Sequence, residues 1–356
     1  MSRLLCLSGS DVERVAANFD PIALQNLMAR VFYTLSSNKD ATSFTPHRII
    51  IPTPNHSALF MPARIATPLL SGTSVKIVCV PKSPTDLRGL PASTLVLDED
   101  TGSVKAILNA KKLTALRNAA GSLLSFNIIG THNVTNLVVF GAGAQIQAHL
   151  DLFLNAVSGI SRVTIVNRTI NERAKKVADS FRTRFPAIQV ECLANDPTAP
   201  TSAAETSVSS AQLIICATSS TIPLFPSSWV RDGTHIILIG SYTPSMHEVD
   251  GELIQRAIPS LLVDSRGACA AEAGEIIAAS VEGSQMVEIG ELVSFDDNGE
   301  LVFNSAPQLA VERGTGNTGR VSIFKSVGVG LQDVAIASAV VDEAQKMGVG
   351  SYVDWD

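Results

Sequence analysis

No stretch of this 356-residue chain approaches the ~18 consecutive apolar residues that would cross a bilayer, and the apolar start, Leu4 to Leu7, is too short for the core of a secretory signal. Cysteine is scarce. The five present, Cys6, Cys79, Cys192, Cys216 and Cys269, are odd in number and widely spaced, with no CxxC pair. That pattern argues against a disulfide framework and a structural zinc site and for a reducing compartment. A cytoplasmic protein without a membrane partner is therefore expected. A basic excess is missing too: 27 Lys and Arg stand against 33 Asp and Glu, with no basic block, so the electrostatic footprint of a nucleic-acid binder is absent. The six histidines (His47, His56, His132, His149, His235, His247) form no HExxH or paired-ligand spacing, and no metal site is expected. There is no GxSxG nucleophile motif. The glycine-dense Arg313–Arg320 lacks the Lys-Ser/Thr ending of a phosphate-binding P-loop and reads as a flexible loop or a lid.

What remains is ordinary for a globular α/β protein: 46% hydrophobic, 17% charged and 5% aromatic residues. The length is two to three times that of a typical domain, so two domains, or one with a large elaboration, are expected. Asp20 can cap a helix with Pro21 at its first position, and Ile22, Leu24, Leu27, Met28, Val31 and Phe32 recur at helical spacing, predicting a helix over about 21–35. From Arg48 to Asn109 the pattern changes to short apolar runs, Ile49–Ile51, Val75–Val80, Thr94–Leu97 and Val104–Leu108, which read as strands. The last two flank a hairpin turn at Asp98–Gly102. A helix follows over Lys111–Ile129.

At Asn136 strands begin to alternate with helices. Six candidate strands, Leu137–Phe140, Val163–Val166, Ile188–Cys192, Leu213–Cys216, His235–Ile239 and Leu261–Val263, make one doubly wound parallel sheet. The Ser/Thr/Ala-rich 197–210 reads as a surface loop or short helix, and a final helix covers about 327–346. Gly141-Ala142-Gly143-Ala144-Gln145 follows the first of these strands and opens a helix, the context of a dinucleotide fingerprint. Gly141 permits the tight turn and Gly143 lets the backbone approach a pyrophosphate on the helix N-terminus. Ile146 stands where a third small residue is usual. The second strand ends in Asn167-Arg168-Thr169 rather than in a carboxylate, which suits a 2′-phosphate and points to NADPH (NADP+) rather than NADH. An exposed arginine merely ending a strand is the alternative.

Several segments together resemble the ornithine cyclodeaminase/μ-crystallin family: Leu59-Phe60-Met61-Pro62-Ala63, the strand around Lys76, Asp98 to Gly102, Leu113 to Ala120, the glycine turn, Asn167-Arg168-Thr169, and Phe324 to Asp333. The resemblance implies an α/β fold with a Rossmann NADP(H)-binding domain (131–321) inserted in a second α/β domain (1–130 plus 322–356) for substrate binding and dimerisation. It also implies a homodimer. It assigns the carboxylate of a small imino or amino acid substrate to Arg48, Lys76 and Arg117, whose forked and point charges suit a carboxylate. It extends the cofactor set to Ala217, Thr218 and Ser219 after the fourth strand, to Gly240 after the fifth, and to Gly328. His47 and His56, beside Arg48, are candidates to line the same pocket.

One departure is informative. Where cyclodeaminases of this family and related alanine dehydrogenases carry a catalytic aspartate, two residues past the glycine that ends the fifth strand, this chain has Tyr242. A tyrosine with pKa ~10 is a poor general base, which shifts the expectation toward the ketimine reductase branch. Tyr242 is then either a wall of the pocket or a proton donor. The expected activity is NADPH-dependent reduction of a small cyclic imine carboxylate or similar imino acid. The alternatives are ornithine cyclodeamination or amino-acid dehydrogenation, and an NADPH-regulated small-molecule binding protein without catalysis.

Overall fold

The fold is described from a computed structural model over residues 3–37, 43–68, 70–83, 89–129, 133–195, 203–304, 306, 309 and 316–355. Two compact units emerge. One comprises Met1–Arg117 with Gly328–Asp356, the other Asn118–Val327. The division falls inside a helix, at Arg117, rather than at the helix end where the sequence places it.

The first unit begins with β1 (Arg3–Leu7), α1 (Gly9–Ala16) and α2 (Pro21–Ser37), the last capped by the Asp20 carboxylate, which accepts from Ala23 N at 2.9 Å. Next come β2 (Ser43–Phe44), β3 (Ile49–Pro52), β4 (His56–Thr67), β5 (Leu70–Pro81), β6 (Ala92–Leu97), β7 (Val104–Asn109) and the start of α3 (Leu113–Ile129), whose remainder from Asn118 belongs to the second unit. β4 to β7 form an antiparallel meander, and β1 joins parallel to β7. The turn between β6 and β7 is closed by the Asp98 carboxylate, which accepts from Thr101 N and its hydroxyl at 2.8 Å each. β4 was not foreseen as a strand, because Pro62 interrupts it. The structure shows why proline is tolerated. β3 pairs with Ser57–Phe60 and β2 with Arg64–Ile65, so neither pairs with β4 at Pro62, and no ladder donor is lost on that side.

The second unit alternates strand and helix: β8 (Asn136–Phe140), α4 (Ala144–Ala156), β9 (Arg162–Asn167), α5 (Glu172–Arg184), β10 (Gln189–Ala194), α6 (Ala203–Ser210), β11 (Leu213–Cys216) and β12 (His235–Leu238). It continues through α7 (Gly251–Arg256), β13 (Leu261–Val263), α8 (Arg266–Glu272), α9 (Gly274–Ala278), β14 (Val287–Glu288), the hairpin β15 (Val293–Phe295) and β16 (Leu301–Phe303), and β17 (Ser322–Lys325). The main sheet runs β10-β9-β8-β11-β12-β17-β13-β14, all neighbours parallel. This is a Rossmann-type doubly wound sheet whose order reverses beside β8. Its make-up corrects the six-strand expectation. β17, unrecognised in the sequence, inserts between the fifth and sixth expected strands, and β14 extends the edge. Phe140, Ile214, Leu238, Leu253 and Ile323 belong to the core beneath it.

The chain then returns to the first unit as α10 (Gly330–Met347) and β18 (Ser351–Asp354). α10 packs on β4, β5 and β6 and on α1 and α2, while β18 pairs antiparallel with β1 at the sheet edge. Among the described residues, no helix is long and apolar enough to cross a membrane. Arg313–Thr315 of the expected lid lie outside the described residues, as do 197–202 and His132. The rest of that glycine stretch is held in place rather than loose. Gly319 N donates to Asp232 Oδ1 at 2.7 Å, Asn317 to the Ser228 carbonyl and Arg256 Nε to the Gly319 carbonyl at 2.7 Å.

Candidate functional site

The candidate site residues fall into two groups, one in each unit. In the first unit, alternation along β5 puts Ser74 and Lys76 on the buried face, under α10. The Lys76 ammonium meets the Asp333 carboxylate, in the first turn of α10, at 2.6 Å. Arg117, near the start of α3, reaches the same carboxylate through Nε at 3.3 Å and donates from Nη1 to Gln332 Oε1 at 2.9 Å. All three charged side chains are buried, with Arg117 and Lys76 at 3% exposure and Asp333 at 3%. Gln332 Oε1 also accepts from Val329 N at 3.1 Å, so one side chain closes the helix start and orients the guanidinium. Gly328 has φ of +83°, and a Cβ there would lie 2.6 Å from Arg117 Nη2. Only glycine lets the chain pass this close to the arginine. Gly328, expected among the cofactor residues, thus lies in the unit that carries the cations.

Arg48 is half-buried just before β3, and its charge is felt at Lys76. Burial pushes the Lys76 ammonium down to about 8. Asp333 opposes that shift, while Arg117 and Arg48 add to it. The Asp333 carboxyl is raised by burial, but Lys76 and Arg117 outweigh this and hold it below the ordinary carboxylate range. The structure therefore brings the three expected cations together. It adds a shared counter-ion, Asp333, to which the sequence pattern alone assigns no role. An acidic residue in the first turn of a helix whose middle, Val334–Val341, is largely apolar was the available signal. His56 is half-buried at the start of β4, and His47 is exposed.

In the second unit, Gly141 takes φ of +111°, and a Cβ there would lie 2.9 Å from the Ala217 carbonyl oxygen. Gly143 caps α4 without any side-chain hydrogen bond, and a Cβ there would have nothing within 4 Å. The first-turn N–H groups of α4 are thus left uncapped by side chains beside open space, the arrangement a pyrophosphate needs. The nicotinamide dinucleotide fits this chain on that ground. Gln145, in the first turn, accepts from the Asn118 amide at 3.2 Å. At the end of β9 Asn167 is half-buried, its amide donating to the Thr169 carbonyl at 2.8 Å, while Arg168 and Thr169 are exposed. Ala217, Thr218 and Ser219 leave the end of β11, and Gly240 follows β12. Ser241 is buried and Tyr242 half-buried.

Sequence reasoning missed the carboxylate beneath these loops. Glu248 is fully buried and accepts from Thr218 N, Thr218 Oγ1 and Gly240 N. His149 and His235 are fully buried as well, and their ring nitrogens are satisfied, as expected of core histidines. His149 Nδ1 donates to the Gln145 carbonyl at 2.7 Å, which leaves Nε2 to accept from the Ser122 hydroxyl at 2.9 Å. The Ser125 hydroxyl donates to the Ser122 carbonyl, so it accepts from His235 Nε2, and His235 Nδ1 accepts from Ser322. Burial holds the two imidazoles down to about 4 and about 3.

Comparison with known proteins agrees with this architecture. The profile of the ornithine cyclodeaminase/mu-crystallin family matches residues 20–348. The ketimine reductase mu-crystallin of Mus musculus is 26% identical over 309 residues, spanning 86% of this chain and 87% of its own length. A Δ1-pyrroline-2-carboxylate reductase of Bacillus cereus is 28% identical over 324 residues, 88% of this chain and 90% of its own. Among solved structures, the Δ1-pyrroline-2-carboxylate reductase of Thermococcus litoralis in complex with NADH and L-proline superposes with a TM-score of 0.79 at 24% identity, over 98% of this chain and 100% of that one. The chain belongs to the ornithine cyclodeaminase/mu-crystallin family.

Proposed function

We propose that this chain is an NADPH-dependent reductase of a small cyclic imine carboxylate or a similar imino acid. The observation that carries the reading is the cation cluster: Lys76 and Arg117, both buried, share the Asp333 carboxylate, and Arg48 lies near enough for its charge to act on Lys76. Clustered cations suit an anionic substrate, and a guanidinium fork fixes the orientation of a carboxylate. Relatives named as ketimine and Δ1-pyrroline-2-carboxylate reductases support the substrate class.

In this reading Arg48, Lys76 and Arg117 hold the substrate carboxylate while Asp333 fixes Lys76 and Arg117. The cofactor, when bound, supplies the hydride to the C=N carbon. Lys76, with its ammonium at about 8, exchanges a proton near neutrality and is the group assigned to protonate the imine nitrogen, which makes the carbon a better hydride acceptor. The exposed Arg168 supports a 2′-phosphate and so NADPH. The exposed Ile49, Ile50 and Ile51 on β3 support a homodimer. Tyr242, where cyclodeaminases carry an acid, favours reduction over deamination.

The test is incubation of the protein with NADPH and a panel of five- to seven-membered cyclic imine carboxylates, following absorbance of the reduced cofactor. Consumption with at least one member is expected, and Tyr242→Phe should retain it. Ammonia release from ornithine with catalytic amounts of cofactor would overturn the reading in favour of cyclodeamination.

A further inference from the structure

We propose that Glu248 is a positioning residue for the cofactor, its buried carboxylate clamping the loops after β11 and β12 into the shape the dinucleotide binds. The proposal rests on the reading above that Ala217–Ser219 and Gly240 hold that cofactor.

Glu248 Oε1 accepts from Thr218 N at 2.7 Å and from Thr218 Oγ1 at 3.0 Å, and Oε2 accepts from Gly240 N at 2.7 Å. These donors stand on two neighbouring parallel strands, just past their C-terminal ends, the edge at which open α/β sheets bind ligands. The loops touch directly. A Cβ on Gly240 would fall 1.9 Å from the Thr218 carbonyl oxygen, so nothing larger than glycine fits between them. A Cβ on Gly141 would meet Thr218 Cγ2 at 3.5 Å, so the residue Glu248 grips also backs the phosphate turn after β8. One carboxylate thereby sets three consecutive loops of the sheet. The main chain reinforces the clamp, with Leu224 N donating to the Glu248 carbonyl at 2.9 Å and His247 N to the Ser220 carbonyl at 2.8 Å.

The charge is partly compensated. Three donors on two oxygens is the environment of an ionised carboxylate. Lys325, at the end of β17 beside β12, is fully buried and ion-paired with Glu275 at 2.9 Å. Burial, with Glu275 adding to it, pushes the Glu248 carboxyl above its ordinary value, and Lys325 and the Thr218 and Gly240 amides oppose that shift. A buried carboxylate is a costly way to fill space, and these donors could not be satisfied by an apolar side chain.

The experiment compares the parent protein with Glu248→Gln and Thr218→Val. Folding of the cofactor-free proteins is checked by thermal melting, and NADPH dissociation constants are measured by fluorescence well below the transition. Glutamine places an amide donor against Thr218 or Gly240, and folded Glu248→Gln should bind NADPH about 30-fold more weakly. Thr218→Val removes only the hydroxyl donor and should weaken binding about 3- to 10-fold. A purely structural role would lower the melting temperature and leave the dissociation constant of the folded protein unchanged. Folded Glu248→Gln binding within 3-fold of the parent overturns the proposal, and if that variant does not fold, unchanged binding by Thr218→Val does so. Failure of the parent to bind either nicotinamide cofactor refutes the proposed function, and this role with it. Normal binding by both parent and variants refutes this role alone.

Discussion

Replacing Asp333 by leucine removes the carboxylate that Lys76 and Arg117 share, at 2.6 and 3.3 Å, and leaves two buried cations against an apolar side chain. Breaking a buried ion pair from one side costs about 3–5 kcal/mol, because the remaining charge stays desolvated. Here one carboxylate serves two cations, so the upper half of that range is expected, about 4 kcal/mol. The assay is urea unfolding of the cofactor-free protein at pH 7, and a loss below about 1 kcal/mol would refute the reasoning. Combining Asp333→Leu with Lys76→Met removes one stranded charge, and the double variant should lose clearly less than the sum of the single losses. The pH dependence carries the same signature. Lys76 titrates at about 8 in the folded protein against 10.5 for a free lysine, so between these values the unfolded chain binds more protons. Its contribution to stability therefore rises with pH across that window, by about 3 kcal/mol in total. Asp333→Asn, which removes the charge that favours the ammonium, should extend the window below pH 8.

Three further outcomes follow from other parts of the molecule. His149 and His235 stay neutral in the fold to about pH 4 and 3 but titrate near 6.5 when unfolded, so stability should fall as pH drops below about 6.5. In urea titrations at several pH values the His149 share is about 3 kcal/mol, and His149→Gln should flatten the slope by about one proton. Arg168→Ala should erase most of a preference for NADPH over NADH of at least ~1.5 kcal/mol, and equal dissociation constants for the two cofactors in the parent would remove the basis for it. Arg48→Leu should cost about 2–4 kcal/mol in kcat/KM with little change in stability. Arg117→Leu should lower both, since the structure ties it to Asp333 and Gln332, and denaturation beside steady-state kinetics separates the two.

The parallel strands from β8 to β12 were legible in the sequence, because a strand buried on both faces reads as a short apolar run and the glycine turn marks where it meets a helix. Ser322–Lys325 was not. It is short and ends in a buried lysine, and its place between β12 and β13 is a long-range fact that local pattern does not encode. β4 was hidden by Pro62, whose tolerance depends on β2 and β3 pairing on either side of it. The cations Arg48, Lys76 and Arg117 were found through the family resemblance, since single basic residues carry no local signal. Their counter-ion Asp333 and the clamp Glu248 escaped because a buried carboxylate is recognisable only from what surrounds it. The Asp333 partners lie more than two hundred residues away in sequence.

On the proposed function, the cation cluster selects a carboxylate-bearing imine for reduction. The most direct measurement is kcat/KM for NADPH-dependent reduction of a cyclic imine carboxylate against the same ring lacking the carboxylate. A preference of at least ~100-fold for the acid is expected, the worth of about 3 kcal/mol of charge-assisted contact. Equal values for the two substrates would contradict it.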